Sequence, residues 1–183
     1  QALGSNSTAS NNTAVGYQSL KATTTGDLNV AVGGEAGDAI TTGNQNVAVG
    51  ANALTSETTG DRNVAIGISA LEAQNNTSNT DAYNTAVGAR AGAAVTTGAN
   101  NTLIGGLAGD SLTSGSNNIM IGYQSEVSAV DAANQIVIGI DIASGGDDTF
   151  RFGKASNTVT NTFTSDNAWA QSSDERLKTN ISS

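Results

Sequence analysis

Asn29-Val30-Ala31-Val32-Gly33 is followed by Asn46-Val47-Ala48-Val49-Gly50 and then by Asn63-Val64-Ala65-Ile66-Gly67, one pentamer three times at a fixed interval. Related copies stand at Asn12-Thr13-Ala14-Val15-Gly16, Asn84-Thr85-Ala86-Val87-Gly88, Asn101-Thr102-Leu103-Ile104-Gly105 and Asn118-Ile119-Met120-Ile121-Gly122. An eighth, Gln135-Ile136-Val137-Ile138-Gly139, keeps the aliphatic residues and replaces the Asn. Successive closing glycines are 17 residues apart in six of the seven intervals and 21 apart in the one between Gly67 and Gly88. A strict period of this length marks a stack of equal supersecondary units, none of which can bury its apolar face alone.

A second landmark precedes most pentamers. Thr24-Thr25-Gly26, Thr41-Thr42-Gly43, Thr58-Thr59-Gly60, Thr96-Thr97-Gly98 and Thr113-Ser114-Gly115 each place a Gly three residues before the Asn, so the chain corners there and enters a short β-branched stretch. Seventeen residues accommodate two short strands and their corners but no helix. The unit predicts an all-β rod, either a repetitive β-solenoid (β-roll) or an intertwined triple β-helix. Stacked at the strand spacing of about 4.8 Å, eight coils span about 35–40 Å, and Asn29, Asn46 and Asn63 form an amide ladder. Gln1-Ala2-Leu3 aligns with Gln18-Ser19-Leu20, so further units are expected upstream.

Within a strand, alternate residues share a face. Val30 and Val32 are expected on the core side and Ala31 on the other, so Ala14, Ala31, Ala48, Ala65 and Ala86 read as contacts to a sister chain. A further regularity concerns the fourth and seventh residues after each closing Gly. Leu20, Leu54 and Leu71 accompany polar Thr23, Glu57 and Gln74, whereas Gly37, Gly92 and Gly109 accompany aliphatic Ile40, Val95 and Leu112. Filling both positions would overpack a core and filling neither would leave a cavity, so the two are expected to share one slot.

Composition narrows the function. With neither Cys nor His, the chain lacks disulfides, thiolate metal sites and the commonest general base and zinc ligand. A net charge of -9 from 16 acidic and 7 basic residues opposes binding to nucleic acid or anionic membrane. No apolar run is long enough to span a bilayer, and no membrane insertion or cofactor is expected. The complete absence of Pro suits a chain whose amides nearly all donate to ladders.

The four extra residues of the long interval fall within residues 74–83, where no Thr-Thr-Gly survives. A protruding loop there makes Tyr83, Asn79 and Asp81 candidates for contact with a host-surface glycan or protein, since Tyr stacks on sugars and amides bind their hydroxyls. Asp147 and Asp148 are adjacent acids without a calcium-loop pattern and read as a solvated turn; no metal site is expected. Residues 1–142 form the repeat region. Residues 143–172 form a β connector in which Phe150, Phe152, Val159, Phe163 and Trp169 concentrate the bulkier apolar side chains.

The final segment, Ser173-Asp174-Glu175-Arg176-Leu177-Lys178-Thr179-Asn180-Ile181-Ser182-Ser183, resembles the start of the intramolecular chaperone of the endosialidase type, peptidase family S74. That resemblance covers eleven residues. It implies a domain, truncated here, that trimerises, helps fold the β-rich fibre before it and is commonly released by self-cleavage. Carried over, Ser173 would be the nucleophile and Lys178 its base, which needs no His because a desolvated lysine can take the proton. Residues 174–183 are present, so the product is expected to be uncleaved or truncated. The upstream repeats also resemble the NxAVG-type head repeats of YadA-like trimeric adhesins and the shafts of bacteriophage tail fibres, over about 140 residues.

Together these features predict a homotrimeric fibre segment for attachment to a host surface, carried on a virion tail or otherwise extracellular. No enzyme activity is expected apart from the incomplete self-cleavage junction. A trimeric autotransporter adhesin head is the alternative of the same architecture, although no heptads are present. An ice-binding solenoid presenting its Thr pairs is the alternative of another class. A polysaccharide-cleaving enzyme would require paired carboxylates, which do not recur here.

Overall fold

The computed structural model describes residues 1–78 and 81–164 together with the backbone of the short strand Ala170–Gln171. Every regular element among them is a strand. Seven three-residue strands coincide with the middle of the pentamers: β1 (Thr13–Val15), β2 (Val30–Val32), β3 (Val47–Val49), β4 (Val64–Ile66), β5 (Thr85–Val87), β6 (Thr102–Ile104) and β7 (Ile119–Ile121). They are followed by β8 (Ser125–Glu126), β9 (Ile136–Ile140), β10 (Ile142–Ala143), β11 (Thr149–Lys154), β12 (Asn157–Thr162) and β13 (Ala170–Gln171). The main sheet runs β1-β2-β3-β4-β5-β6-β7-β9-β11-β12-β13, parallel as far as β11 and antiparallel thereafter, while β8 and β10 pair separately.

Pairing is strictly layered. Val30 lies opposite Val47, which lies opposite Val64, and across the 21-residue interval Ala65 still lies opposite Ala86, so the extra residues never enter the sheet. Strands of successive coils pair within the same chain, and the fold is therefore a parallel β-solenoid rather than an intertwined triple helix. Each coil from β1 to β6 contains one strand, not two. Three residues per coil adopt left-handed backbone, for example Asn52 (φ 56), Leu54 (φ 54) and Arg62 (φ 60), and they break the rest of the turn into corners. Those corners nevertheless stack through backbone hydrogen bonds, as from Thr24 N to Thr41 O (3.0 Å) and from Thr41 N to Thr58 O (2.8 Å).

The Asn ladder is present. The backbone N of Asn46 donates to Asn29 Oδ1 at 2.9 Å, that of Asn63 to Asn46 Oδ1 at 2.9 Å, and Gln135 N ends the series on Asn118 Oδ1 at 3.0 Å. The amide nitrogen is used as well: Asn29 Nδ2 donates to Gly43 O and Asn46 Nδ2 to Gly60 O, each at 2.8 Å. Asn29 and Asn46 thus each tie their own coil to the next by two bonds, wholly inside the solenoid. A second, outer ladder runs in the opposite sense. Asp27 N donates to Asn44 Oδ1, and Asn44 N to Asp61 Oδ1.

The face assignment of the strands is the reverse of the expected one. Ala31, Ala65 and Ala86 are fully buried, whereas Val32 is 37% and Ile66 39% exposed. A coil of 17 residues encloses a narrow lumen, and the strand can place only a small side chain there if the opposite wall is to contribute Leu20, Ile40, Leu54 or Leu71. The alanines are therefore core, and the β-branched residues point out of the molecule. A second inward column of small residues, Ala36, Ala53, Ala70, Ala91 and Ala108, completes the lining.

The fourth and seventh positions do share space. A Cβ added to Gly37 would lie 3.0 Å from Ile40 Cδ1 and 3.2 Å from Leu20 Cδ2, and one added to Gly92 would lie 3.3 Å from Val95 Cγ2 and 2.5 Å from Leu103 Cδ1. Where the inward strand residue enlarges from Ala to Leu103, the facing residues Gly92 and Gly109 make room. From Leu20 to Gly109 the fourth position is left-handed whether Leu or Gly holds it (φ 56 at Gly37, φ 54 at Leu54), so Leu accepts backbone strain in order to fill volume. The coupling predicts a non-additive cycle. Gly37→Leu overpacks and Ile40→Thr opens a cavity, each costing about 2 kcal/mol, while the double variant recovers more than half of the summed loss. Urea titration of the four proteins tests this, and additive losses would refute the shared slot.

Glu57 explains how the solenoid survives its insertion. In other coils the amides of the Thr-Thr-Gly corner donate to a carbonyl of the following coil: Thr24, Thr25 and Gly26 all reach Thr41 O. In the coil just before the insertion, Glu57 Oε1 takes over, accepting from the backbone N of Thr58 (2.9 Å), Thr59 (3.1 Å) and Gly60 (2.7 Å). Its Oε2 accepts from Gln74 Nε2 (3.0 Å) and Asn76 Nδ2 (3.1 Å), and Gln74 Oε1 in turn accepts from Asn84 Nδ2 (3.0 Å). Glu57 and Gln74 are fully buried. The polar residues at the seventh position are thus satisfied core groups rather than mere space-savers.

Candidate functional site

The most extensive surface feature is the outer face of the parallel sheet. Its two columns are the first and third residues of each strand, in unbroken register from Thr13 and Val15 through Val47 and Val49 to Ile136 and Ile138, and on to Phe150 and Phe152. Every one of these residues is Thr, Val, Ile or Phe. The third-residue column stands furthest out, with Val15 57%, Ile138 41% and Phe152 40% exposed. Tyr17, Ile68, Tyr123 and Ile140, each two residues beyond a third-column residue, widen the strip and are themselves at least 45% exposed. Isolated exposed aliphatics are ordinary on a soluble protein, but nine successive layers of them without a charge form a patch of the kind that marks an interface. The columns were legible in the sequence; their outward direction was not, because alternation defines two faces without saying which the chain curves around.

The insertion presents a polar cluster. Tyr83 is not at a loop tip: it occupies the left-handed position before the landmark Asn (φ 50), one layer along from Arg62, whose guanidinium lies 5.7 Å from the Tyr83 ring centroid. Asp81 forms an isolated parallel bridge with Asp61, and its carboxylate holds both the Arg62 guanidinium and the Tyr83 hydroxyl, the latter at 3.1 Å. The structure thus brings Tyr83 and Asp81 together and adds Arg62, which sequence reading had not singled out. The third candidate, Asn79, lies outside the described residues. An exposed aromatic ring beside a carboxylate and a guanidinium offers the apolar face and charged hydrogen-bonding groups that carbohydrate binding uses.

Where the repeat ends, a recess is lined by Gln124, Glu126, Asp141, Ile142 and Ala143. Glu126 follows Gly122 by four residues, the position held by Leu or Gly in earlier coils. Its Oε1 accepts from Asp110 N at 3.0 Å, and its Oε2 from Ser111 Oγ at 2.6 Å. Burial, together with the neighbouring Asp110 carboxyl, pushes Glu126 up from 4.5 to about 7. The folded protein therefore keeps a proton there that the unfolded chain releases near pH 4.5, so this group's contribution to stability falls as pH rises from about 4.5 to about 7. Glu126→Gln should be more stable than the wild type at pH 7.5, with the difference shrinking towards pH 4.5. Urea curves of both proteins across that range test this: a difference that does not change with pH would show that Glu126 titrates normally.

Asp147 and Asp148 are engaged within the turn region. Asp147 Oδ1 accepts from Ala133 N and Gln135 Nε2, each at 2.9 Å, and Asp148 Oδ1 accepts from Asn134 Nδ2 at 3.0 Å. Ser173 and Lys178, the residues of the self-cleavage junction, lie outside the described residues, as does Trp169. No protein-family model, curated protein or solved structure matches the chain.

Proposed function

We propose that the chain is a shaft or head segment of a homotrimeric fibre that attaches to a host surface, of the bacteriophage tail-fibre kind, with its copies meeting through the outer face of the sheet. The observation that carries this reading is that face itself: nine uncharged layers at one strand spacing, each with an aliphatic or aromatic residue in its outermost column, that the chain's own fold leaves partly exposed. Burying one half-exposed Val or Ile contributes about 1 kcal/mol, so the strip as a whole supplies ample driving force for association. A rounded partner touches only a few layers of a straight strip. A second solenoid of the same pitch touches them all.

The resemblance of residues 173–183 to an S74-type chaperone supports the fibre reading over the adhesin head, with Ser173 as nucleophile and Lys178 as base of a maturation cleavage. The Tyr83, Asp81 and Arg62 cluster is the proposed point of contact with a surface glycan. The ice-binding alternative is weakened by where the Thr hydroxyls go: those of Thr24, Thr41, Thr96 and Thr113 donate to carbonyls of the next coil rather than standing as a free array.

Light scattering coupled to size exclusion is the direct test. The expected mass is three times 18.2 kDa. A monomer at all concentrations would remove the fibre proposal.

A further inference from the structure

The residue before each landmark Asn belongs to a column of its own. Gln45 (φ 57), Arg62 (φ 60), Tyr83 (φ 50), Asn100 (φ 59) and Asn117 (φ 63) hold left-handed backbone in successive layers, and all are exposed. The backbone of the column is clamped to the preceding coil. Gln45 N donates to Asp27 O and Arg62 N to Asn44 O, each at 3.0 Å, and Asn100 N donates to Ala82 O at 2.7 Å. The result is a fixed array with one side chain per coil, about 4.8 Å apart and about 20 Å from end to end. The stacking of Arg62 on Tyr83 is one step of this array.

Left-handed backbone favours Gly and Asn, which accounts for Asn100 and Asn117 but not for Gln45, Arg62 and Tyr83. Those three long side chains are held there against the local preference. Polar groups beside the column are already spent on joining coils: Asn44 Oδ1 and Asp61 Oδ1 accept backbone amides, and the Thr41 hydroxyl donates to Thr58 O. The side-chain amides of Gln45, Asn100 and Asn117 bond to no described residue.

An amide both donates and accepts, as a sugar hydroxyl does, and an aromatic ring packs on the apolar face of a pyranose. Repeat length narrows the ligand further. An extended peptide advances about 3.4 Å per residue and falls out of step with the coils, whereas one pyranose of a linear glycan is nearly as long as the coil spacing. Charge selects against acidic glycans, because the chain carries a net -9 and Asp81 already holds the Arg62 guanidinium.

We propose that this column is an extended site for a neutral, linear, pyranose-based glycan lying parallel to the rod, one sugar unit to a coil. Tyr83 is the stacking anchor, and Gln45, Arg62, Asn100 and Asn117 bond the hydroxyls of the units on either side. The proposal rests on the reading that Tyr83 contacts a surface glycan and extends that contact from one point to five coils.

Titration calorimetry of the full chain tests it with linear hexasaccharides of glucose, galactose and mannose, their disaccharides, and hexagalacturonate as the acidic probe. At least one neutral hexasaccharide is expected to bind at least about tenfold more tightly than its disaccharide, because added units engage further coils, and more tightly than hexagalacturonate. Asn100→Gly with Asn117→Gly, which keeps the left-handed backbone, should weaken the hexasaccharide at least about fivefold and leave the disaccharide unchanged. Tyr83→Asn, which places the usual residue of the column there, should weaken both at least about tenfold. Circular dichroism should show the coil intact in each variant. Equal affinity for hexasaccharide and disaccharide, preference for the acidic probe, or no effect of the paired Asn variant overturns the column. If Tyr83→Asn alone then abolishes binding, the single contact at Tyr83 survives and only this inference fails; if no neutral glycan binds, the glycan contact fails with it.

Discussion

Gly67→Ala is expected to cost at least about 3 kcal/mol and to split the solenoid locally rather than soften it throughout. Gly67 has φ +137, a conformation L residues rarely adopt, and an added Cβ would lie 2.4 Å from the carbonyl oxygen of Gly88 in the next coil. That oxygen is backbone and cannot rotate aside. The same geometry recurs at Gly16, Gly33, Gly50, Gly88 and Gly105, where the Cβ would again fall 2.4 or 2.5 Å from the oxygen of the following glycine. The column exists because equal coils stack with their corners superimposed, leaving no room for a methyl group between layers. In a quasi-one-dimensional stack each coil is stabilised mainly by its neighbours, so damage should concentrate at the interface between the coils of β4 and β5. Hydrogen exchange is the appropriate measurement: amides of Gly88 and Arg90, which donate to Ile66 O and Ile68 O, should lose protection first. Gly34→Ala is the internal control. Gly34 is next in sequence to a glycine of the column, yet nothing lies within 4 Å of its would-be Cβ, and its backbone is not left-handed. It should be neutral or stabilising by up to about 1 kcal/mol through the unfolded chain. Similar losses at both positions would mean that the glycine column is not what separates the coils.

The second large effect is expected at Glu57. Glu57→Gln preserves shape but turns one acceptor into an NH₂ group facing N–H donors, and Glu57→Ala leaves the amides of Thr58, Thr59 and Gly60 without the oxygen that serves them. Each buried unsatisfied donor costs about 1–3 kcal/mol, so the alanine variant should lose about 4 kcal/mol and the glutamine variant about 2–3. Thr23 offers the contrast. It occupies the same position two coils earlier and donates its hydroxyl to Ile40 O at 3.0 Å, while the corner amides of its coil are already held by Thr41 O. Thr23→Val should therefore cost no more than about 1.5 kcal/mol. Urea midpoints for the three variants decide the matter. If Glu57→Ala and Thr23→Val were equally mild, the carboxylate would not be replacing the carbonyl that the insertion displaces.

The contrast between Glu57 and Thr23 shows how far the sequence can be read unaided. Both are polar at the seventh position beside a Leu at the fourth, and the alternation correctly places the two positions in one slot. It does not disclose that Glu57 sits in the coil whose following corner has lost its Thr-Thr-Gly. The acid has a purpose only when the displaced layer is known. The Glu126 site was hidden for a related reason: Asp110 and Glu126 are 16 residues apart, and only stacking makes them neighbours.

The period of seventeen residues determined that the chain is a β stack of equal coils, while the choice of a solenoid over an intertwined triple helix came from the strand pairing. A fixed repeat of glycines, Asn and β-branched residues forces equivalent groups into layers, so the parallel sheet, the Asn ladder and the looping-out of the extra residues followed from spacing alone. Alternation likewise divided each strand into an Ala face and a Val/Ile face. Which of those faces was the interior could be settled only by the tertiary structure, because residue size pointed one way and the width of the lumen the other. In so narrow a coil the small side chain goes inside, opposite Leu20, Ile40 and Leu54, and the larger aliphatics are left on the surface, available to a partner.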